Sequence, residues 1–214
     1  MKIHHERSNM IATKSGVGTR KPRAKVPEHL IYEIIDGQPI HYRGYREVMA
    51  GNKTFEEITG SSKLQSYIVL YILKLLIKDL DEDAYVVLTS EAGIHLDRRN
   101  NLAGDVLIFD SQSMPIEDIN EYYADVPPKI AIEVDIRADP ADMQPDTYLF
   151  KKTQKLLDFG VEKVIWITTQ AKKVTVATPD GPWLVKDLHE DVEIIEGIIC
   201  NVGQYLAKRG SVFA

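Results

Sequence analysis

The sequence predicts an α/β (α+β) domain in which helices flank a central mixed β-sheet. Strand-like and helix-like segments follow one another in the order ββ-α-βββ-α-βββ, without an internal repeat. Of the 214 residues, 44% are apolar, which is typical of an ordinary globular protein. A chain of this length can bury a core without disulfides or a structural metal.

The first half of the chain predicts a hairpin, a long helix and a meander. Residues 30–42 contain two strand-like runs around an Asp36-Gly37 turn. From Ser62 to Leu80, apolar residues recur at helical spacing behind a serine N-cap, which predicts a mostly buried helix. Shorter β-rich runs then predict the strands of the meander, over residues 84–88, 93–96 and 105–109.

The second half predicts one clear strand, one helix and three further strands. Residues 129–137 alternate strictly between aliphatic and other side chains. Pro145 and Gly160 bracket a helix over residues 146–159, because proline favours the first helical turn and glycine the residue after the last. Three strand-like runs follow, over residues 164–168, 173–177 and 183–185.

The charge of the chain is unevenly distributed. The formal net charge is −6, with 26 basic and 32 acidic residues, which excludes a uniformly basic nucleic-acid binder. Residues 1–25 nevertheless hold seven basic side chains and one acid. We therefore predict a basic, flexible N-terminal arm over residues 1–25, followed by a single domain over residues 26–214. The arm is either a solvated tail or a segment that tracks phosphates.

The single cysteine and the hydropathy pattern indicate the compartment. Cys200 cannot form an internal disulfide and follows two isoleucines, so it is predicted to be a small core residue in a reducing cytoplasm. Neither a run of about 20 apolar residues nor an apolar secretory leader is present, so we expect no membrane partner.

The first candidate functional residues are two acidic side chains on a predicted strand. If residues 129–137 form a strand, Glu133 and Asp135 share one face, opposite the aliphatic residues. Two neighbouring carboxylates repel each other unless a cation or a shared proton lies between them. The alternative is an exposed edge strand on which Lys129 and Arg137 balance the acids.

An aspartate and a lysine extend this pattern. Asp105 opens the predicted strand over residues 105–109, where it could also simply complete a turn. Helical periodicity surrounds Lys152 with mostly apolar neighbours and Lys151 with polar ones, so Lys152 is predicted to point toward the sheet. Alternatively, the Lys152 ammonium extends past the apolar side chains to water.

Two acids on neighbouring strands and an inward lysine are typical of phosphodiester hydrolysis. Mg²⁺ binds through one or two carboxylates together with substrate phosphate and water. The bound ion polarises the phosphoryl oxygen and acidifies a water, while a lysine offsets negative charge in the transition state.

Four short motifs resemble the Uma-type endonuclease family, which has the restriction-endonuclease-like PD-(D/E)XK fold. The similarity extends from about Tyr32 to Thr168. It consists of a Y-E-x-x-D-G hairpin at residues 32–37, Gly104-Asp105-Val106, Ile132-Glu133-Val134, and a passage from Lys152 through Phe159-Gly160-Val161 to Trp166.

The resemblance implies a metal-dependent DNA nuclease with Mg²⁺, or Mn²⁺ in its place, as cofactor. Asp105 and Glu133 would bind the metal, and Lys152 would be the active-site lysine. Asp135 would be a third ligand or would position water. Glu91 and Glu33 are further acids of the same predicted cleft, and a homodimer would be consistent with the family.

Two other functions stay open at this point. A catalytically inactive domain of the same fold could bind nucleic acid or protein, which the acidic character of residues 26–214 favours. A regulatory protein could instead use the acids to hold a metal structurally.

Overall fold

The structure, a computed structural model, describes residues 25–214. The predicted basic arm, apart from Lys25, lies outside the described residues. Eight strands form one mixed sheet in the order β2-β1-β4-β5-β6-β7-β8, with β3 paired to β4. Helices flank this sheet, which confirms the predicted α+β class.

The N-terminal elements follow the prediction closely. A 3-10 turn leads into the hairpin of β1 (Ile31–Ile35) and β2 (Gln38–His41). Two short helices that the sequence did not predict come next, α1 (Tyr45–Met49) and α2 (Glu56–Thr59). The predicted long helix is α3 (Lys63–Asp79), whose N-cap Ser62 accepts a hydrogen bond from the backbone of Gln65.

The predicted meander is a long hairpin of two strands. β3 (Tyr85–Asp97) and β4 (Asn100–Asp110) pair along their whole lengths. The two runs predicted before residue 97 belong to one strand, interrupted by a bulge at Ser90 and Glu91, both of which have positive φ. Asp105 consequently lies inside β4, and the prediction that it opens a strand is wrong.

β4 pairs with β3 along one edge, whereas its other edge pairs with two different strands in turn. At Asn101 this edge pairs with Ile34 of β1, and from Val106 to Ile108 it pairs with β5 (Ile130–Val134). Both β1 and β5 are antiparallel to β4. Residues 102–105, which we call the β4 gap, lie between these two pairings.

The C-terminal half completes the sheet. Helix α4 (Pro145–Phe159) begins at a proline and ends at Gly160 in the left-handed conformation, as predicted. It connects β5 to the parallel strand β6 (Lys163–Thr168). β7 (Lys173–Ala177) and β8 (Leu184–Asp187) then extend the sheet by antiparallel pairing.

Three further elements were not predicted. β9 (Val192–Ile195) and β10 (Ile198–Cys200) form a separate hairpin, followed by α5 (Val202–Lys208). Together with α3 they cover one face of the sheet, and Cys200 is buried there, as predicted. Helix α4 covers the other face through Tyr148, Leu156 and Leu157.

Between residues 25 and 214, no helix is both long and apolar enough to cross a membrane.

Candidate active site

The β4 gap leaves backbone polar groups without strand partners, and charged side chains satisfy them. The N–H of Ala103 donates to Glu33 Oε1 at 2.9 Å, and its carbonyl accepts from Lys152 Nζ at 2.6 Å. The N–H of Val134, at the end of β5, donates to Asp105 Oδ2 at 2.7 Å. Unpaired backbone groups are costly in a core, so this change of strand partner explains why charges can be buried here.

Lys152 is the cation of the cluster. It lies on the face of α4 that packs on the sheet and is 0% exposed, which confirms its predicted inward direction. Its ammonium contacts Glu33 Oε1 at 2.8 Å and Glu133 Oε1 at 2.9 Å, in addition to the Ala103 carbonyl. Burial would lower its pKa, but the two glutamates outweigh burial and raise the pKa above its ordinary value.

Glu33 binds Lys152 as directly as Glu133 does. From the sequence it was predicted only as a further acid of the same cleft. In the structure it is 2% exposed, and its Oε2 accepts a hydrogen bond from the hydroxyl of Tyr148. Burial raises the pKa of Tyr148 well above its ordinary value, so this hydroxyl stays a donor.

Glu133 is the least well hydrogen-bonded carboxylate of the cluster. Its Oε1 touches the Lys152 ammonium, yet accepts no hydrogen bond of good geometry from the described residues. Burial raises its pKa to about 8, with Asp105 and Glu33 adding to this effect and Lys152 opposing it.

Asp105 lies next to this group and is held by two donors. Gln65 Nε2 donates to Oδ1 at 3.0 Å, and the Val134 N–H donates to Oδ2. Burial raises the pKa of Asp105, while these two hydrogen bonds and the Lys152 ammonium oppose the shift. The structure thus brings Asp105, Glu133 and Lys152 together, although they lie on three different elements.

The charges of this cluster do not balance. Three buried carboxylates, on Glu33, Asp105 and Glu133, surround the single ammonium of Lys152. If all four groups are ionised, two negative charges remain uncompensated in a poorly solvated place. A proton on Glu133 relieves one of them, and a divalent cation would compensate both.

Asp135 does not share the face of Glu133, so the prediction of one acidic strand face is wrong. β5 ends at Val134, and Asp135 has a φ of 60°. Its carboxylate accepts from the backbone N–H of Thr169 at 2.7 Å and from the Thr169 hydroxyl. Burial is the main cause of the raised pKa of Asp105, and the charge of Asp135 adds to it.

Glu91 lies apart from the Lys152 contacts. It sits in the β3 bulge and forms an ion pair with Arg137. The Arg137 guanidinium also donates to the Thr59 carbonyl and lies over the rings of Tyr32 and Tyr42. Within the described structure, Glu91 therefore stabilises Arg137.

An open cleft of about 940 Å³ reaches this region. Its walls come from the α1–α2 segment, the loop after β5 and the turn after β6. Gln65 and Asp135 line it, as does Arg137, whereas Glu133 and Lys152 lie behind its surface. Access to the cluster is therefore from the side of Gln65 and Asp135.

The carboxylate oxygens of Asp105 and Glu133 suit a hard divalent cation, both in their chemistry and in their charge. Asp105 and Glu133 offer carboxylate oxygens, one of which lacks a hydrogen bond, and the cluster has an excess of negative charge. Among residues 25–214, no three His, Cys, Asp or Glu side chains are placed to hold a metal together. Any such ion would thus need water or substrate oxygens to complete its shell.

Sequence reasoning missed Gln65 and Tyr148. Ser62 and Gln65 have the spacing of a helix capping box, which predicts a local role for the glutamine. Tyr148 lies four residues before Lys152, which places both side chains on the same face of the helix. This spacing was the signal that could have indicated Tyr148 as a residue near the site.

Comparison with known proteins shows the fold. Neither a scan of protein-family models nor a search of curated proteins found a match. A search of solved structures found a crystal structure from Anabaena variabilis described as "a putative nuclease belonging to DUF820". The TM-score is 0.57 at 17% sequence identity, and the match covers 76% of this chain and 80% of that chain. The two proteins therefore share a fold.

Proposed function

We propose that this chain is a Mg²⁺-dependent nuclease that hydrolyses phosphodiester bonds of DNA with a site of the PD-(D/E)XK type. The ion pair of Glu133 with Lys152, and the hydrogen bond that holds Asp105 on the backbone of Val134 next to Glu133, carry the proposal, together with the open cleft nearby. The fold shared with a protein described as a putative nuclease supports it.

Asp105 and Glu133 would hold the metal, for which Mn²⁺ could substitute. A bound divalent ion would polarise the scissile phosphoryl group and acidify a water molecule. Asp105 is already oriented by its two hydrogen bonds. Asp135, which lines the cleft wall, would accept a hydrogen bond from an attacking water.

Lys152 would act through the carboxylates that it contacts and not by touching the substrate. Its ammonium already contacts three acceptors: the Glu33 and Glu133 carboxylates and the Ala103 carbonyl. It therefore lowers the pKa of Glu133 relative to burial alone, and it would supply a fixed positive charge near the reacting phosphate, where a low dielectric strengthens its effect.

The decisive experiment is DNA cleavage with conservative substitutions. Asp105→Asn and Glu133→Gln keep the side-chain shape and remove the charge, so we expect each to lower Mg²⁺-dependent cleavage by about 100-fold or more. Single- and double-stranded substrates should both be assayed, with and without EDTA. Asp158→Asn, an exposed aspartate on α4, is the matched control and should cleave normally.

A catalytically inactive binding module is the second candidate. The complete burial of Lys152 favours it, because a saturated lysine cannot reach the substrate. This candidate predicts DNA or protein binding without cleavage, and binding that Asp105→Asn leaves unchanged. Cleavage by the wild type that both conservative variants abolish would contradict it.

A further inference from the structure

Gln65 departs from the local role that its position predicts. In a capping box, the third helical residue returns a side-chain hydrogen bond to the N-cap backbone. Ser62 forms the first hydrogen bond of the capping box, since its Oγ accepts from the Gln65 N–H at 3.0 Å. The Gln65 side chain instead extends to Asp105, 40 residues away in sequence, and donates to Oδ1 at 3.0 Å.

This contact fixes the orientation of the Asp105 carboxylate. One oxygen accepts from Gln65 and the other from the backbone of Val134. The Val134 N–H is fixed by the sheet, so the rotation of the carboxylate depends on Gln65. An ionised carboxylate oxygen can accept further contacts, and each Asp105 oxygen therefore keeps lone pairs for a cation.

Gln65 also borders the cleft. It is 4% exposed and lines the cleft wall, whereas its partner Asp105, 7% exposed, is not one of the lining residues. Because a carboxylate only accepts hydrogen bonds, the amide nitrogen must face Asp105. The amide oxygen accepts no hydrogen bond from the described residues, so it is free for a water or cation entering from the cleft.

We propose that Gln65 is a positioning residue of the candidate metal site: its amide nitrogen aims Asp105, and its amide oxygen faces water coordinated on the cleft side. The inference rests on the proposed function, since it assumes that Asp105 binds a divalent ion. It assigns to Gln65 a part that neither the motifs nor the charges of the sequence indicate.

The experiment measures Mn²⁺ affinity directly, by titration calorimetry on the full-length protein without DNA. Gln65→Leu removes the donor from Asp105, and we expect the Mn²⁺ dissociation constant to rise about 10- to 100-fold, as for other residues that orient metal ligands. Gln154→Leu is the matched control. Gln154 also donates to an aspartate, Asp158 at 2.7 Å, but on the exposed face of α4, so its loss should leave the affinity unchanged.

Cleavage at increasing Mn²⁺ separates positioning from structure. Excess Mn²⁺ should restore cleavage by Gln65→Leu, because a weakened site can still be filled. Circular dichroism and a thermal melt check folding, and Gln65→Met, which keeps the unbranched length, replaces the leucine variant if that variant unfolds.

Each result has one meaning for the proposal. Weaker Mn²⁺ binding in Gln65→Leu with an unchanged Gln154→Leu supports it. Equal affinity in the wild type and Gln65→Leu overturns the role of Gln65 and leaves the nuclease proposal standing. A wild type that binds no Mn²⁺ overturns both, and loss of cleavage that excess Mn²⁺ cannot restore assigns Gln65 a structural role instead.

Discussion

Lys152 connects two of the carboxylates of the candidate site, those of Glu33 and Glu133. Its ammonium contacts two glutamates and a backbone carbonyl, and none of these contacts is open to water. A buried ion pair adds little stability when it forms, but removing one partner leaves an uncompensated charge. The adjacent Lys151 offers a comparison, because its side chain is 48% exposed and lies 3.6 Å from Asp36.

Replacing Lys152 by Met should therefore cost far more than replacing Lys151. We expect Lys152→Met to lower the free energy of unfolding by about 3–5 kcal/mol. Lys151→Met should change it by less than about 0.5 kcal/mol. Urea denaturation of both variants measures the difference. Similar values for the two would show that the buried cluster is not ionised.

Glu133 should make the stability of the metal-free protein depend on pH. Its pKa is about 8 in the folded chain and ordinarily 4.5, so the native state binds more protons than the unfolded state between these values. The free energy of unfolding therefore falls as the pH rises through this window. The raised pKa of Lys152 keeps that group charged throughout.

Substitution of Glu133 by Gln should remove this dependence. Relative to the wild type, we expect Glu133→Gln to gain roughly 3 kcal/mol of stability between about pH 5 and pH 8. Urea denaturation in EDTA at several pH values tests it. Parallel curves for the two proteins would mean that the Glu133 carboxyl has an ordinary pKa.

The sequence predicted some of these residues and not others, for a physical reason. Helical periodicity is local, so the inward direction of Lys152 could be read from its neighbours. The contacts of Glu33 and Gln65 depend on where β4 changes its partner, which no local pattern encodes. Their partners lie 70 and 40 residues away, at Ala103 and Asp105.

Among the elements, β4 determines where the site forms. Alternation correctly predicted a strand at β5, but it left the burial of that strand open and extended it to residue 137. The strand ends at Val134 because Asp135 adopts a left-handed conformation and binds Thr169. A side-chain pattern of period two cannot reveal such a backbone turn, so β-rich segments were predicted less accurately than α3 and α4.

Gly104 within β4 should tolerate no side chain. A Cβ at this position would overlap the Cδ2 atom of Leu107, which is fully buried. We expect Gly104→Ala to lower the free energy of unfolding by about 1–3 kcal/mol through overpacking. Gly60→Ala is the control, because a Cβ there meets nothing within 4 Å and its φ of −68° suits alanine. Urea denaturation that finds both variants equally stable would contradict this packing.

At the scale of the whole molecule, charge limits how DNA could be attracted. The chain carries −6, and part of this negative charge is buried in the candidate site. Affinity for DNA depends on cations placed against phosphates, and it weakens as salt increases. The basic residues that precede the described part of the chain are the densest such group in the sequence.

Neutralising these residues should weaken DNA binding more than the same change elsewhere. Replacing six of them by glutamine takes the formal charge from −6 to −12 in a full-length chain: Lys2, Arg7, Lys14, Arg20, Lys21 and Arg23. The control replaces six exposed cations of the folded part, with the same total charge: Lys74, Lys78, Lys172, Lys173, Lys208 and Arg209.

Fluorescence anisotropy at several salt concentrations distinguishes the two variants, with Asp105→Asn in both to prevent cleavage. If the N-terminal cations contact phosphates, the first variant should bind DNA about 10-fold or more weakly at low salt. The slope of log K against log salt concentration should also become shallower, by up to about 0.9 for each contact that is lost. A charge effect without contact would weaken both variants equally, because their net charges match. Equal losses would therefore mean that the net charge of the chain, and not contact between the N-terminal cations and phosphates, sets the affinity for DNA.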